Sequence, residues 1–178
     1  EKERLERLTL SQNEQPKALN QSLEAKVQAR TMQLKESMAS IAAANEKLKA
    51  NFITTIKILS SMIEMRGGRL TGHARRVADL ARRIAIRMGL SARDTQEVFI
   101  AGLLHDVGKM GLSDDMLDLP VNQLSGEHLG LFRKHPQRAE QLLMPLEDLR
   151  GVAAILRSQM ERFDGAGFPD GLGGFTIP

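Results

Sequence analysis

The chain has 178 residues, of which 42% are apolar and 26% charged, a composition that suits one domain core plus an extended element. A net charge of only +3 and the absence of Trp and Tyr argue against a nucleic-acid partner. No apolar run approaches the roughly 20 residues of a membrane span and the N-terminus is charged, so we expect a cytoplasmic protein. Because there is no cysteine, any metal must be held by His, Asp and Glu, which suits Fe, Mn or Zn.

Two segments precede the part of the chain that carries the candidate chemistry. Residues 1–18 are interpreted as the end of a preceding module or linker, and Pro16 is expected to interrupt the helix there. Residues 19–62 lack Gly and Pro, and we interpret them as a coiled-coil signalling helix that forms a parallel homodimer through residues 27–62. An amphipathic helix packed on its own domain is the alternative. The seam positions alternate in steps of four and three, with a polar Asn at one of them that fixes the register: Val27, Thr31, Leu34, Met38, Ile41, Asn45, Leu48, Phe52, Thr55, Leu59 and Met62.

Residues 63–178 predict a domain made of helices. One helix is expected from His73 to Met88, and a second opens at Ser91, whose spacing to Asp94 resembles a capping box. Further helices are expected after Ser125 as an N-cap, from Pro136 in a first turn, and over residues 149–160, before a glycine-rich loop. No segment alternates with the period of a strand, so the predicted fold is all-α.

The candidate chemistry lies in three histidines and one carboxylate. His73 is at a helix start, His105 stands beside Asp106, and His135 is at a helix end. Sequence neighbours diverge by about 100° around a helix, so His105 and Asp106 suit two adjacent ions bridged by the carboxylate. Any one such histidine is more often simply a hydrogen-bonded, partly buried residue. The Leu-Leu-His-Asp-Val-Gly-Lys string at 103–109 favours a site, because the Lys109 ammonium joins the imidazole and the carboxylate beside a glycine that admits a ligand.

Four ordered motifs carry a more specific signal: Glu64 through His73-Ala-Arg-Arg-Val77, then Ala101-Gly-Leu-Leu-His-Asp-Val-Gly-Lys109, then His135-Pro136, then Glu161-Arg-Phe-Asp-Gly-Ala-Gly-Phe-Pro169. Together they resemble the HD superfamily of metal-dependent phosphohydrolases and, more narrowly, the HD-GYP family. The resemblance implies an HD-type helical bundle that binds two or three metal ions and hydrolyses cyclic di-GMP. It also implies metal ligands at Glu64, His73, His105, Asp106 and His135, catalytic roles for Asp106 and for Lys109 on the substrate phosphate, and a signature loop containing Glu161, Asp164, Gly165, Gly167, Phe168 and Pro169.

The sequence departs from the family pattern where the metals are expected. Gln159 and Met160 stand where the family carries a His-His pair, and neither an amide nor a thioether replaces an imidazole on a hard metal. Phe168 replaces the signature tyrosine, and Arg66–Leu70 replaces the family's Arg-Asp-x-Tyr-Thr. The family's last ligand, an Asp beyond the signature, has no counterpart before Pro178, so the bundle is expected to be C-terminally incomplete. We therefore expect weak or substoichiometric metal binding.

Three functions remain open at this point. The leading hypothesis is a signalling output domain of a response regulator or sensor protein, with an N-terminal receiver or sensor module and with impaired cyclic di-GMP phosphodiesterase activity. The first alternative is an active metal-dependent phosphodiesterase that uses a reduced metal set. The second is a module that binds cyclic di-GMP or a protein partner without hydrolysis.

Overall fold

The computed structural model describes residues 2–66 and 72–178; in the first range it describes the side chains of residues 2, 16, 17, 19 and 20–66. Within these residues the regular structure is helical, and its nearest approach to a strand is one isolated bridge between Asp164 and Gly173. The prediction of an all-α fold is therefore confirmed. The α-helices are α1 Lys2–Arg66, α2 His73–Arg87, α3 Ala92–Leu104, α4 Asp114–Asp118, α5 Gly126–Arg133, α6 His135–Leu143 and α7 Arg150–Arg157, and the 3₁₀ turns are Val107–Gly111, Val121–Gln123, Glu147–Leu149 and Gly174–Thr176.

The chain divides into two compact units, Glu1–Asn51 and Phe52–Pro178. The first unit is helical, and its large apolar side chains from Leu19 to Leu48 are 53–67% exposed. The helix break predicted at Pro16 is wrong, because α1 continues through that residue. Good helix formers such as Glu, Gln, Lys and Leu flank Pro16 on both sides, so the helix tolerates one missing N–H donor. Among the described helices, none combines the length and the hydropathy that a membrane crossing requires.

The second unit is organised around α3, which packs closely against α2 and also contacts α7. The crossing of α2 and α3 is so close that a Cβ on Gly102 would lie 2.6 Å from the Ala78 Cα. Six consecutive buried residues, from Phe99 to Leu104, fill the centre of the domain. His105 follows directly after this buried run, so the candidate site lies at the edge of the core.

Local sequence signals account for two of the helix starts in the second unit. Ser91 Oγ accepts a hydrogen bond from the Asp94 N–H at 3.1 Å, which confirms the predicted cap of α3. Pro136 lies in the first turn of α6, as predicted. Ser125 is the N-cap residue of α5, as predicted, but its side chain makes no cap hydrogen bond. The last predicted helix is also too long: α7 ends at Arg157, and residues 158–160 turn away into the signature loop.

Candidate metal centre

Three of the predicted ligands converge at one place. His73 is the first residue of α2, His105 is the C-cap of α3, and Asp106 follows it. One ligand atom from each lies within 4.8 Å of the other two, and the two imidazole rings have centroids 5.2 Å apart. Each of the three side chains is partly buried. Two imidazoles and a carboxylate form a donor set that suits a divalent first-row metal ion.

Hydrogen bonding leaves one ring nitrogen of His105 available to a metal ion. His105 Nδ1 lies 2.9 Å from the Gly102 carbonyl oxygen, which can only accept, so Nδ1 carries the proton. In the neutral imidazole, Nε2 then presents a lone pair toward Asp106 Oδ1, which is 3.2 Å away. A divalent ion placed between Nε2 and Oδ1 could be bound by both atoms, and the Lys109 ammonium lies beside the same oxygen. The residues present therefore fit a divalent ion, and the Nδ1–carbonyl bond is the outer-shell contact that orients a metal-binding histidine.

Asp106 is held in its charged form. Burial raises the pKa of its carboxyl, but attraction to His105 and to Lys109 outweighs burial and leaves the pKa below its ordinary value. Lys109 Nζ lies 2.7 Å from Asp106 Oδ1 and 5.8 Å from the centroid of the Phe132 ring. The Asp106 carboxylate is thus available as an anionic ligand, with the ammonium of Lys109 beside it.

His135 is completely buried and has an unused ring nitrogen. Its Nδ1–H donates to the Phe132 carbonyl at 2.7 Å, and its buried Nε2 has no hydrogen-bond partner among the described residues. Burial lowers the pKa of the imidazole below its ordinary value, so His135 is neutral at neutral pH and Nε2 keeps its lone pair. His135 is outside the three-residue cluster, but its backbone packs on Gly108, two residues after Asp106.

Glu64, expected as a further ligand, makes a different contact. Its carboxylate accepts the backbone N–H of Gly72 at 2.7 Å and the N–H of Ala74, the residues on either side of His73. It therefore caps the N-terminus of α2. The departure noted at Gly67–Leu70 lies outside the described residues; Arg66 is described, and its guanidinium contacts the chain after Lys109.

The signature loop follows α7 and reaches the site through Phe168. The Phe168 ring lies edge-on to the His135 ring, with centroids 6.4 Å apart, and its N–H donates to the Met160 carbonyl at 3.2 Å. The Gln159 side chain leaves Nε2 buried without a hydrogen-bond partner among the described residues. Neither Gln159 nor Met160 supplies an imidazole here.

The remaining signature residues stabilise the loop itself. The Glu161 carboxylate accepts the N–H groups of Asp170 and Leu172 at 2.7 and 2.9 Å. Asp164 bonds to Arg162, which lowers the pKa of its carboxyl, and it accepts the Ala166 N–H. Gly165 has a φ of 74°, Gly167 has no room for a Cβ, and the Phe168–Pro169 peptide is cis.

A cavity of about 640 Å³ adjoins the cluster, and the sequence reasoning did not predict it. Its walls are mostly apolar and come from the end of α1, the end of α3 and the loop after α6. Its charged and imidazole groups come from Glu64, Arg66, His73, Asp106 and Lys109. The only signal in the sequence was that apolar residues continue along α1 past Phe52, which we assigned to the seam.

Comparisons with known proteins agree with this geometry. A family model described as an HD domain matches residues 57–178. The cyclic di-GMP phosphodiesterase response regulator RpfG of Xanthomonas campestris is 32% identical over 126 residues, which cover 70% of this chain and 33% of that protein. A cyclic di-GMP phosphodiesterase of Thermotoga maritima is 34% identical over 125 residues (69% and 34%), and the 3'3'-cGAMP-specific phosphodiesterase 3 of Vibrio cholerae is 27% identical over 164 (92% and 35%).

The chain spans about a third of the length of these curated relatives. The matched region contains each of the residues that converge at the site, from His73 to His135. An all-α domain with this His/Asp cluster at the end of its central helix, together with the family match and these relatives, identifies the chain as a member of the HD domain family and, within it, of the HD-GYP group.

Proposed function

We propose that this chain is a signalling output domain of the cyclic-dinucleotide phosphodiesterase type whose hydrolytic activity is weak or absent. The observation that carries the proposal is the composition of the metal centre. His73, His105 and Asp106 can hold an ion, whereas the positions of the family's His pair hold Gln159 and Met160. A two-ion site shared among so few protein ligands would bind weakly, so we expect at most one weakly held Fe, Mn or Zn ion per chain.

The remaining site residues have assignable tasks. A divalent ion held by the cluster would supply a Lewis acid and would lower the pKa of a nearby water molecule. The neutral His135 offers Nε2 as a further ligand. Lys109 lines the cavity beside Asp106, and we assign its ammonium to a substrate phosphate oxygen. Asp106 balances that ammonium charge in the absence of substrate.

The relatives suggest the substrate class. Two of those described act, by name, on cyclic di-GMP and one on 3'3'-cGAMP, and both compounds are cyclic dinucleotides closed by phosphodiester bonds. We therefore propose a cyclic dinucleotide as the ligand. The response-regulator name of one relative supports a place downstream of a receiver or sensor module.

The test restores the missing imidazoles in the full-length protein. Elemental analysis of the unmodified protein should show substoichiometric metal, and hydrolysis of cyclic di-GMP and 3'3'-cGAMP should be negligible. Gln159→His combined with Met160→His should raise metal occupancy and give measurable Mn- or Fe-dependent hydrolysis, because Glu161 and the loop that place this stretch are intact.

The control for this test places two histidines away from the candidate metal centre. Gln123→His combined with Met88→His adds the same side chains at exposed positions and should change neither quantity. Robust turnover by the unmodified protein, abolished by His105→Ala, would overturn the proposal of impaired hydrolysis in favour of an active phosphodiesterase. Calorimetric binding of cyclic di-GMP without turnover would identify a binding module instead.

We also propose that the first unit pairs with a second copy of the chain. Its seam residues, such as Leu34, Ile41 and Leu48, are between 59 and 67% exposed, which is costly for a helix that stays alone in water. The heptad spacing of these residues matches the pairing of two like helices, and Asn45 on the seam favours one register. A parallel homodimer would cover the apolar stripe.

A further inference from the structure

The last turn of α1 forms hydrogen bonds with both segments of the chain that carry the candidate metal centre. Glu64 and Arg66 are two residues apart on this turn, yet they bond to different segments of the second unit. One segment begins at His73 and the other follows Asp106. We call these contacts the Glu64 arm, which lies next to His73, and the Arg66 arm, which lies on the chain that follows Asp106.

The Glu64 arm fixes the start of α2. The N-cap residue of α2 is Gly72, which has a φ of 80° and no side chain to cap the helix. Glu64 supplies the missing acceptors by taking the N–H groups of Gly72 and Ala74. His73 lies between these two amides, so the direction of its side chain depends on the position of the Glu64 carboxylate.

The Arg66 arm fixes the chain that follows Asp106. Its guanidinium donates to the Leu112 carbonyl at 2.8 Å and to the Met110 carbonyl, and it pairs with Asp114 at 3.1 Å. Met110 belongs to the Val107–Gly111 turn, which also carries Lys109. Arg66 is 41% exposed, so its carbonyl bonds matter more than the ion pair.

We infer that Glu64 and Arg66 are positioning residues, and that the last turn of α1 sets the separation of His73 from His105 and Asp106. A displacement of α1 would change that separation and with it the affinity for metal, which couples the helix to the site. The inference rests on the proposed metal-binding function. It assigns Glu64 to positioning, whereas the family resemblance implied a metal ligand.

Titration of the full-length protein with Mn²⁺ tests the positioning role. Glu64→Gln keeps the size of the side chain but turns an NH₂ group toward a backbone N–H, and Arg66→Met removes every donor. Each should weaken Mn²⁺ binding about 10- to 100-fold, the usual cost of losing an outer-shell contact, without changing the number of ions bound. Glu46→Gln and Arg150→Gln break exposed ion pairs elsewhere and should leave the affinity unchanged.

Two outcomes of the titration would overturn the inference. Unchanged affinity in both variants would show that the two arms do not control the site. A lower number of bound ions in Glu64→Gln would show that Glu64 coordinates metal directly. Arg66→Lys, which keeps the charge with a single donor group, should recover only part of the loss.

A second measurement needs no metal and separates this inference from the proposed function. The chain has four histidines, so their imidazole nitrogen signals can be assigned by NMR. Glu64→Gln should shift the His73 signals and Arg66→Met the His105 signals, whereas the exposed His128 should not respond. If the unmodified protein binds no Mn²⁺, the metal-binding proposal fails, and these shifts still decide the inference: unmoved His73 and His105 signals would overturn it.

Discussion

Gly108 is the position where one added carbon should disturb the site most. A Cβ there would lie 1.9 Å from the His135 carbonyl oxygen, whereas ordinary contact begins at 3.4 Å, so the turn would have to retreat by about 1.5 Å. The opposing atoms belong to the backbone of α6 and cannot rotate away. Overpacking of this kind costs about 1–3 kcal/mol, and we expect Gly108→Ala near the upper end of that range.

Urea unfolding followed by circular dichroism at a fixed protein concentration measures this cost. With a typical slope of about 1–3 kcal/mol per molar urea, a loss of roughly 3 kcal/mol lowers the midpoint by about 1–3 M. Because the same retreat separates Lys109 and Asp106 from His135, metal affinity should fall together with stability.

Gly130 provides the matched control for this substitution. It lies inside α5, and a Cβ there would meet nothing within 4 Å. Gly130→Ala should therefore stabilise the protein by up to about 1 kcal/mol through helix propensity. A Gly108→Ala protein as stable as the unmodified one, with an unchanged urea slope, would refute the close approach of the turn to α6.

Two further predictions concern assembly and pH. Ile41→Lys should weaken the homodimer at least about 10-fold in sedimentation equilibrium, because it buries an unpaired charge on the seam. Met32→Lys lies off the seam and should leave the dimer unchanged. A monomer mass for the unmodified protein at micromolar concentration would contradict the dimer. Burial lowers the pKa of His135 below 6.5, so as the pH falls below 6.5 the unfolded chain binds the proton first and the free energy of unfolding decreases. The urea midpoint should drop between pH 7.5 and 5.5. His135→Asn keeps a donor for the Phe132 carbonyl and should make the midpoint less dependent on pH. The same dependence of the midpoint on pH in both proteins would show that His135 is not the cause.

Much of the fold could be predicted because its signals are local. The caps at Ser91 and Pro136 act within one turn, and the apolar run of α3 needs no distant partner to be recognised. The break at Pro16 was wrong because α1 continues through that residue, with good helix formers on both sides of it.

The site was harder to predict where it depends on distant contacts. The motifs indicated His73, His105 and Asp106, and the structure brings these three together. The bond from Arg66 to the Leu112 carbonyl joins residues 46 apart, and no spacing rule predicts such a contact. The cap that Glu64 provides for α2 joins residues 8 and 10 positions apart, so the carboxylate resembled a ligand when it was considered as part of a motif.

The contacts that close the signature loop do not use the side chains of the two residues that precede it. The loop is closed by its own backbone bonds to Glu161, and Arg157 ties Asp170 to Glu140 on α6. These bonds raise the pKa of the Arg157 guanidinium and lower that of the Asp170 carboxyl, which keeps the network charged at neutral pH. None of these contacts involves the side chain of Gln159 or Met160, so imidazoles at those positions are not required for the loop to form. The signature residues therefore account for the shape of the loop, and our proposal assigns the loss of hydrolytic activity to the two residues immediately before it.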